Sequence, residues 1–378
     1  MQYLAFCCIA KDENHFLKEW LAYHALLGVE HFYIYDNCSQ VPIRELLSGF
    51  ADDSRVTIRR IAGQKMQLPA YDDCLQSFGA TCRWMGFIDI DEFALPVVDN
   101  DLRVLLSEFE AYGGLGATWH LFGPSGHLCR PEGPVIKNYT QAFAVQESYH
   151  IKSFVQPART VQCLNPHYFR YQPGYYCVNE EHYPISPGMQ CTFASGRKVR
   201  VNHYFLKSQQ DFEQKLIRGG GARDKSKGFE MIMFYDGAAR ATVEDTTITR
   251  FLPRLEKALS SGTLPLPSPL LPADAPPEEV LEIAMAFYEA GQPEKALACL
   301  CHPNPKNEDK ADFWIMRSLS AFVSQQPERA ETFIRQALIR EASETGYAHL
   351  RTLLRSKGRD DLAEGIDTIL RRCPDYFC

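Results

Sequence analysis

Three acids, Asp89, Asp91 and Glu92, close the stretch WMGFIDIDEF at residues 84–93. Trp84, Met85, Phe87 and Ile88 read as a buried strand, and the acids fall at its C-terminal end. If the chain stays extended through Ile90, Asp89 and Asp91 leave the same face, because side chains alternate along a strand. Two carboxylates that leave room for phosphate oxygens match the coordination habits of Mg²⁺ and Mn²⁺. Glu92 has the odd offset and points away from that face in a regular strand.

The elements before this stretch are what must position it. Residues 3–9 are a continuous apolar run, as in a central strand buried on both faces, and they stop at Lys11, Asp12 and Glu13. Phe16, Leu17, Trp20, Leu21, His24 and Leu27 follow helical spacing, with Gly28 where a C-terminal cap belongs. On that apolar face His24 reads as a packed side chain, not a ligand. Residues 31–35 (HFYIY) form a second strand ending at Asp36, and residues 56–61 a third. Ala70, Tyr71, Cys74, Leu75 and Phe78 then repeat at helical intervals before the Trp84 strand. This alternation predicts an α/β domain with a mostly parallel sheet, whose ligand crevice lies outside the carboxyl ends of the strands. Lys11, Glu13, Asp36, Asp89 and Asp91 all fall at those ends.

Beyond Pro96 the alternation weakens. A helix is expected at residues 102–112, a strand at 116–122, and a further strand at 199–206 that carries His203. A helix at 211–218 holds Lys215 and Arg218. It is followed by GGGARDKSKG, which reads equally as a basic closing loop or a solvated linker. The domain ends near residue 260. Residues 261–277, rich in proline, form a semi-rigid linker, and residues 278–378 read as helix throughout. There Ala296, Ala330 and Ala363 recur at a period resembling tetratricopeptide repeats, a surface for a protein partner or self-association.

Composition narrows the function classes. Hydrophobic residues are 45% and charged residues 23%, so a folded core is expected, and a net charge of −7 argues against nucleic acid as partner. No run approaches the roughly 18 apolar residues of a membrane helix. The N-terminus reads as a first strand with no signal-peptide pattern. Thirteen cysteines without a CxxC pair suit reduced, mostly buried thiols. The expected location is therefore cytoplasmic, with peripheral contact at the inner membrane face if the acceptor is lipid-linked.

KDENHFLKEWLAYHALLGVEHFYIYDNCSQ, QLPAYDDCL, WMGFIDIDEF, FGPSGH, KSFVQP, NPHYF and VNHYFLKSQQDFEQKLIRGG, in this order over about residues 1–225, resemble the DUF23-type glycosyltransferases, family 92 and its bacterial relatives. The resemblance implies a GT-A fold, doubly wound and nucleotide-sugar-binding. It also implies inverting transfer from a nucleoside diphosphate sugar, commonly uridine diphosphate galactose, to a glycan acceptor. On that basis Asp89, Asp91 and His203 are the expected metal ligands, for Mn²⁺ or Mg²⁺, with Asp91 the direct one. Asp36 is expected at the uracil or ribose, and Lys11 and Glu13 near the nucleotide. Gln67, Tyr71 and Asp72 are expected along the diphosphate or donor sugar, and Lys215 and Arg218 at the leaving phosphate. Pro124 departs from the serine that relatives often carry.

Inversion requires a carboxylate to take the acceptor proton on the far side of the sugar. Asp91 and Glu92 are the catalytic candidates, with Glu147, Glu180, Glu181, His127 and His167 as further choices for the base. Two other readings stand beside this one. A sugar-nucleotide pyrophosphorylase would need a glycine-rich basic loop after the first strand, which AKDENHF is not. An interaction scaffold would use the C-terminal repeats with an inactive first domain, and the joint presence of Asp36, Asp89, Asp91 and His203 argues against it.

Overall fold

The computed structural model describes residues 1–267 apart from 48, 145–149, 189–194 and 219–226, and beyond 267 it describes 280, 284, 293–300, 311–323, 333, 355, 360, 364 and 367. The chain divides into two units, Met1–Pro267 and Ser268–Cys378.

In the first unit the strands are β1 (Gln2–Ala10), β2 (His31–Asp36), β3 (Val56–Arg60), β4 (Cys82–Phe87), β5 (Glu92–Pro96), β6 (Gly114–Leu121), β7 (Gln141–Phe143), β8 (Ile151–Val155), β9 (Thr160–Asn165), β10 (Tyr168–Tyr171), β11 (Cys177–Val178), β12 (Val199–His203) and β13 (Ala241–Glu244). The helices are α1 (Leu17–Leu26), α2 (Ile43–Leu46), α3 (Gln67–Phe78), α4 (Leu102–Ser107), α5 (Val135–Asn138), α6 (Gln209–Arg218), α7 (Lys227–Arg240) and α8 (Leu252–Ser261). The main sheet runs β3-β2-β1-β4-β8-β6-β12-β5, with β11 beside β6. β1 to β4 are parallel, whereas β8 is antiparallel to both β4 and β6, so the sheet is mixed from its middle onward.

The expected apolar run becomes β1, which lies between β2 and β4 and buries Leu4 to Cys8 completely. α1 ends as its sequence predicts. Gly28, at φ +93, follows the last turn, Gly28 N donates to Ala25 O and Val29 N to His24 O, and an added Cβ would collide with Asp101 and Arg103. His24 is packed in the core. Its Nδ1 donates to Trp20 O at 2.9 Å and its Nε2 accepts from Ala94 N at 3.1 Å, while burial pushes its pKa down to about 3.

Four residues join β4 to β5, although β8, β6 and β12 separate those strands in the sheet. Four strand spacings amount to about 19 Å, and five extended residue steps reach at most about 18 Å. The linking segment is also bent, because Glu92 N donates to Asp89 O at 3.1 Å. The sheet must therefore curl, bringing the end of β4 to the start of β5. The edge of β5 is covered by α1: Trp20 Nε1 donates to Glu92 O, and Tyr23 OH to Ala94 O.

The expectation of an extended chain through Ile90 is thus corrected. β4 ends at Phe87, and Asp89 and Asp91 sit on a turn that aims their side chains at different partners. The start of the expected linker belongs to the first unit, since Leu264 is buried and Arg55 donates to the carbonyls of Leu264 and Pro265. In the second unit, helices Pro293–Leu300 and Ala311–Val323 are joined by Arg317 Nε donating to Leu300 O, and Ala296 is buried. Ala330 and Ala363, and with them most of the expected repeat, lie outside the described residues.

Candidate active site

The site is built where the β4–β5 turn meets the end of β12. The β12 register sets His203 opposite Glu92 on one side and Leu121 on the other, and Tyr204 N donates to Asp91 O at 2.8 Å. His203 Nε2 thereby stands 3.7 Å from Asp91 Oδ1. On the other carboxylate oxygen, Lys215 Nζ donates to Asp91 Oδ2 at 2.6 Å. Burial alone would raise the Asp91 pKa, but Lys215 and His203 outweigh it and hold the carboxyl well below its ordinary range. Burial lowers the His203 pKa against the pull of Asp91, which favours a neutral imidazole.

Lys215 arrives on α6, whose start is capped by the Ser208 hydroxyl. Asp211 N donates to Ser208 Oγ, and Ser208 Oγ donates back to Asp211 Oδ2. Arg130 ties the preceding loop to the same helix, its Nε donating to Asp211 Oδ1 at 2.7 Å and a terminal nitrogen to Gln214 Oε1 at 3.0 Å. Between α6 and the loop after β1 lies a cleft of about 350 Å³, open solvent included, lined by Glu13, Phe16, Arg130, Lys207 and Lys215 among others. Lys207 Nζ sits 4.2 Å from the centre of the Phe16 ring, a cation–π distance.

Asp89 has a different setting. Gln67 and Tyr71, one turn apart on α3, both donate to Asp89 Oδ1, at 2.8 and 3.0 Å. Lys152 Nζ, from β8, donates to Asp89 Oδ2 at 2.7 Å and lies 3.3 Å from Glu92 Oε2. That Glu92 oxygen also accepts from Asp89 N at 2.9 Å. Glu92 and Lys152 are both fully buried. Burial raises the Glu92 pKa, and although burial opposes the charge on Lys152, Asp89 and Glu92 keep it protonated.

Of the expected ligands, then, Asp91 and His203 come together, and Asp89 is turned to Lys152, Gln67 and Tyr71. Asp91 Oδ1 and His203 Nε2 form a pair of donors suited to one Mn²⁺ or Mg²⁺, with His203 Nδ1 buried and without a hydrogen bond. Among the described residues no group of three His, Cys, Asp or Glu side chains forms a metal cage.

The remaining expected residues sort as follows. Asp36, the last residue of β2, is buried and accepts from Ser39 N at 2.8 Å and Ile43 N at 3.3 Å, so its carboxylate shapes the following loop. Asp12 joins that loop to the one after β1, Gln40 N donating to its Oδ1 at 2.7 Å. Lys11 is exposed and Glu13 lines the cleft. Asp72 lies one position past Tyr71 and is directed to β9, where it accepts from Cys163 N at 2.7 Å. The side chains of Arg218 and Glu147 lie outside the described residues.

Among the alternative bases, Glu180 is buried and accepts from Ser195 Oγ and from the backbone of Arg197, Lys198 and Val199. Glu181 accepts from Ser195 N. His127 Nε2 is 3.1 Å from Asn138 O. His167 Nδ1 is 2.8 Å from Ile151 O, and burial with Lys152 nearby lowers its pKa to about 4.

Two contributors were not singled out by sequence. Trp119 on β6 packs against His203 with ring centres 4.2 Å apart and also touches His150 and His167. Lys152 lay within KSFVQP, where a lysine at the head of an otherwise apolar strand was the available signal.

With this geometry in hand, the family profile of glycosyltransferase family 92 matches residues 2–215. The chain belongs to glycosyltransferase family 92. A family 92 protein of Oryza sativa subsp. japonica is 32% identical over 221 residues, covering 56% of this chain and 34% of that protein. One from Arabidopsis thaliana is 31% identical over 229 residues, 57% of this chain and 37% of its own length. The galactan beta-1,4-galactosyltransferase GALS1 of Arabidopsis thaliana is 30% identical over 103 residues, 25% of this chain and 21% of its length. The chain thus spans about a third of the first of these relatives and a fifth of the last. Among solved structures, that of S. aureus TarS aligns over 88% of this chain and 55% of its own, at 9% identity and a TM-score of 0.28, a likeness too loose to carry an argument.

No helix among the described residues is long and apolar enough to cross a membrane.

Proposed function

We propose that this family 92 chain is a metal-dependent, inverting glycosyltransferase of GT-A type. It takes its sugar from a nucleoside diphosphate sugar, uridine diphosphate galactose, and passes it to a glycan acceptor. The observation that carries the reading is the convergence of Asp91, His203 and Lys215 at the β4–β5 turn, beside the cleft that holds Glu13 and Lys207. Family membership supports the reaction class, and the galactosyltransferase names among its relatives support the sugar.

Departure of a diphosphate builds negative charge on its terminal phosphate, and catalysis requires positive groups held in advance where that charge appears. Lys215 is one such group, on a helix capped by Ser208, and Lys207 is a second on the wall of the same cleft. Asp91 and His203 would hold a divalent ion, which when bound supplies charge stabilisation to the leaving diphosphate. Asp91 is kept ionised by Lys215 and His203, as a ligand must be. Glu92 is sealed beneath the turn and accepts from Asp89 N, a setting that suits holding the turn better than deprotonating an acceptor.

The test is a thermal-shift panel of nucleoside diphosphates, each with and without Mn²⁺, because a ligand of the native state raises the melting temperature by linkage. Uridine diphosphate should stabilise the protein only when metal is present. If no nucleotide stabilises it under either condition, the donor reading fails, and residues 278–378 become the place to seek a function.

A further inference from the structure

We propose that Lys152 is a positioning residue for glycosyl transfer, an internal cation that sets the acidic turn so that Asp91, and not Asp89, stands with His203 and Lys215 at the donor site. The inference rests on the reading of the β4–β5 turn as the donor site. Three observations carry it.

First, Lys152 is fully buried at the centre of the sheet, on β8 between β4 and β6, where a lysine has no access to water and needs partners. Its ammonium reaches both acids that flank Asp91 in the turn, Asp89 at 2.7 Å and Glu92 at 3.3 Å. Secondly, the two acids are themselves joined, since Glu92 Oε2 accepts from Asp89 N at 2.9 Å. One charged nitrogen and one backbone bond therefore fix both ends of a short loop whose inner residues are Ile90 and Asp91. Thirdly, Asp89 is bound on both oxygens, by Gln67 and Tyr71 on Oδ1 and by Lys152 on Oδ2. Its carboxylate is committed to protein donors, so in this arrangement it orients the turn, while Asp91 stands beside His203 and Lys215.

The alternative role for Lys152 is merely structural, compensating a buried Glu92. The two roles separate in a charge-balanced variant. Lys152→Met leaves the buried Glu92 and the partly exposed Asp89 without their cation and should unfold more readily. Lys152→Met/Glu92→Gln replaces both buried ionisable groups with neutral ones and should recover the unfolding midpoint. If Lys152 positions the turn, this double variant stays impaired even when folded: turnover with uridine diphosphate galactose falls at least about tenfold, as for lost outer partners of a metal site. Calorimetric affinity for uridine diphosphate with Mn²⁺ falls by a similar factor. A folded double variant with wild-type turnover and affinity overturns the proposal.

Should the double variant fail to fold, Gln67→Ala/Tyr71→Phe tests the same arrangement from the other oxygen of Asp89, with the same tenfold losses expected. Wild-type turnover and affinity in that pair overturn the proposal as well. Failure of the wild-type protein to bind uridine diphosphate with Mn²⁺ overturns the donor reading and this inference together, whereas wild-type binding with unaffected variants overturns only the role of Lys152.

Discussion

Lys215 Nζ and Asp91 Oδ2 are 2.6 Å apart, and this pair reverses the exposure of its neighbour, Lys152 and Asp89 at 2.7 Å: there the aspartate is the more exposed partner, here the lysine. The Lys152 side chain is fully buried on a central strand, whereas that of Lys215 is 35% exposed on a helix beside the cleft. A buried lysine holds geometry, and a lysine at a cleft can exchange partners when an anion arrives. The turn thus carries one fixed lysine and one open to substrate.

Lys215→Met should cut turnover by roughly 10²- to 10³-fold, the usual loss on removing one group that stabilises developing charge. Lys215→Arg should restore part of it, because the reach and charge survive while the geometry changes. The measurement is steady-state release of uridine diphosphate from the sugar donor, and wild-type turnover in the methionine variant removes Lys215 from the mechanism.

His203→Ala should raise the Mn²⁺ concentration needed for half-maximal activity, since it deletes one of the two donors that the structure brings together. Trp119→Ala should produce a smaller shift in the same direction, roughly tenfold, because the indole packs against the imidazole 4.2 Å away and restricts its orientation. A metal titration superimposable on that of the wild type would strip the histidine of this role.

Gly86→Ala probes the strand that delivers the turn. A methyl group there would lie 2.7 Å from the Phe6 ring and 3.1 Å from that of Phe154, in a core with no slack. Overpacking of this kind costs about 1–3 kcal/mol. Urea unfolding should show a lower midpoint with an unchanged slope; an unaltered midpoint would mean that the rings move aside freely.

Local pattern made much of this legible in the sequence. Residues 3–9 had to be a central strand because nothing polar interrupts them, and Gly28 had to end α1 because the chain turns left-handed there. His24 was recognisable as a core residue by its place among Trp20, Leu21 and Leu27. The turn at Ile90 and Asp91 was not legible, because it depends on sheet curl and on β12, over a hundred residues away, which pairs with β5. For the same reason Asp72 was grouped with Gln67 and Tyr71: one residue of helix is a rotation of about 100°, enough to send its carboxylate to β9. Lys152 belonged to a quoted motif, but only the three-dimensional meeting of β8 with the turn gives it a partner.

The most specific pH dependence concerns Glu19, on α1 and outside the site. Its carboxylate is buried and accepts from Val135 N at 2.7 Å and Ile136 N at 3.2 Å, capping the short helix α5. Burial pushes its pKa up to about 7, from an ordinary 4.5, against the lowering effect of those two bonds and of Lys207. The native state therefore holds the proton more tightly than the unfolded chain does. The resulting stability is fully present below about pH 4.5 and is lost as pH rises through about 7, a change of about 3 kcal/mol. Glu92, also raised by burial, contributes a slope of the same sign, so the wild-type curve alone does not isolate Glu19. Glu19→Gln does: the amide does not titrate, and it loses one of two accepted bonds at a cost of about 1–3 kcal/mol. The wild-type advantage over the variant should accordingly shrink by about 2–3 kcal/mol between pH 5 and pH 8, measured by urea unfolding at each pH. Parallel stability curves for the two proteins would show that the Glu19 carboxyl keeps its ordinary pKa in the folded chain.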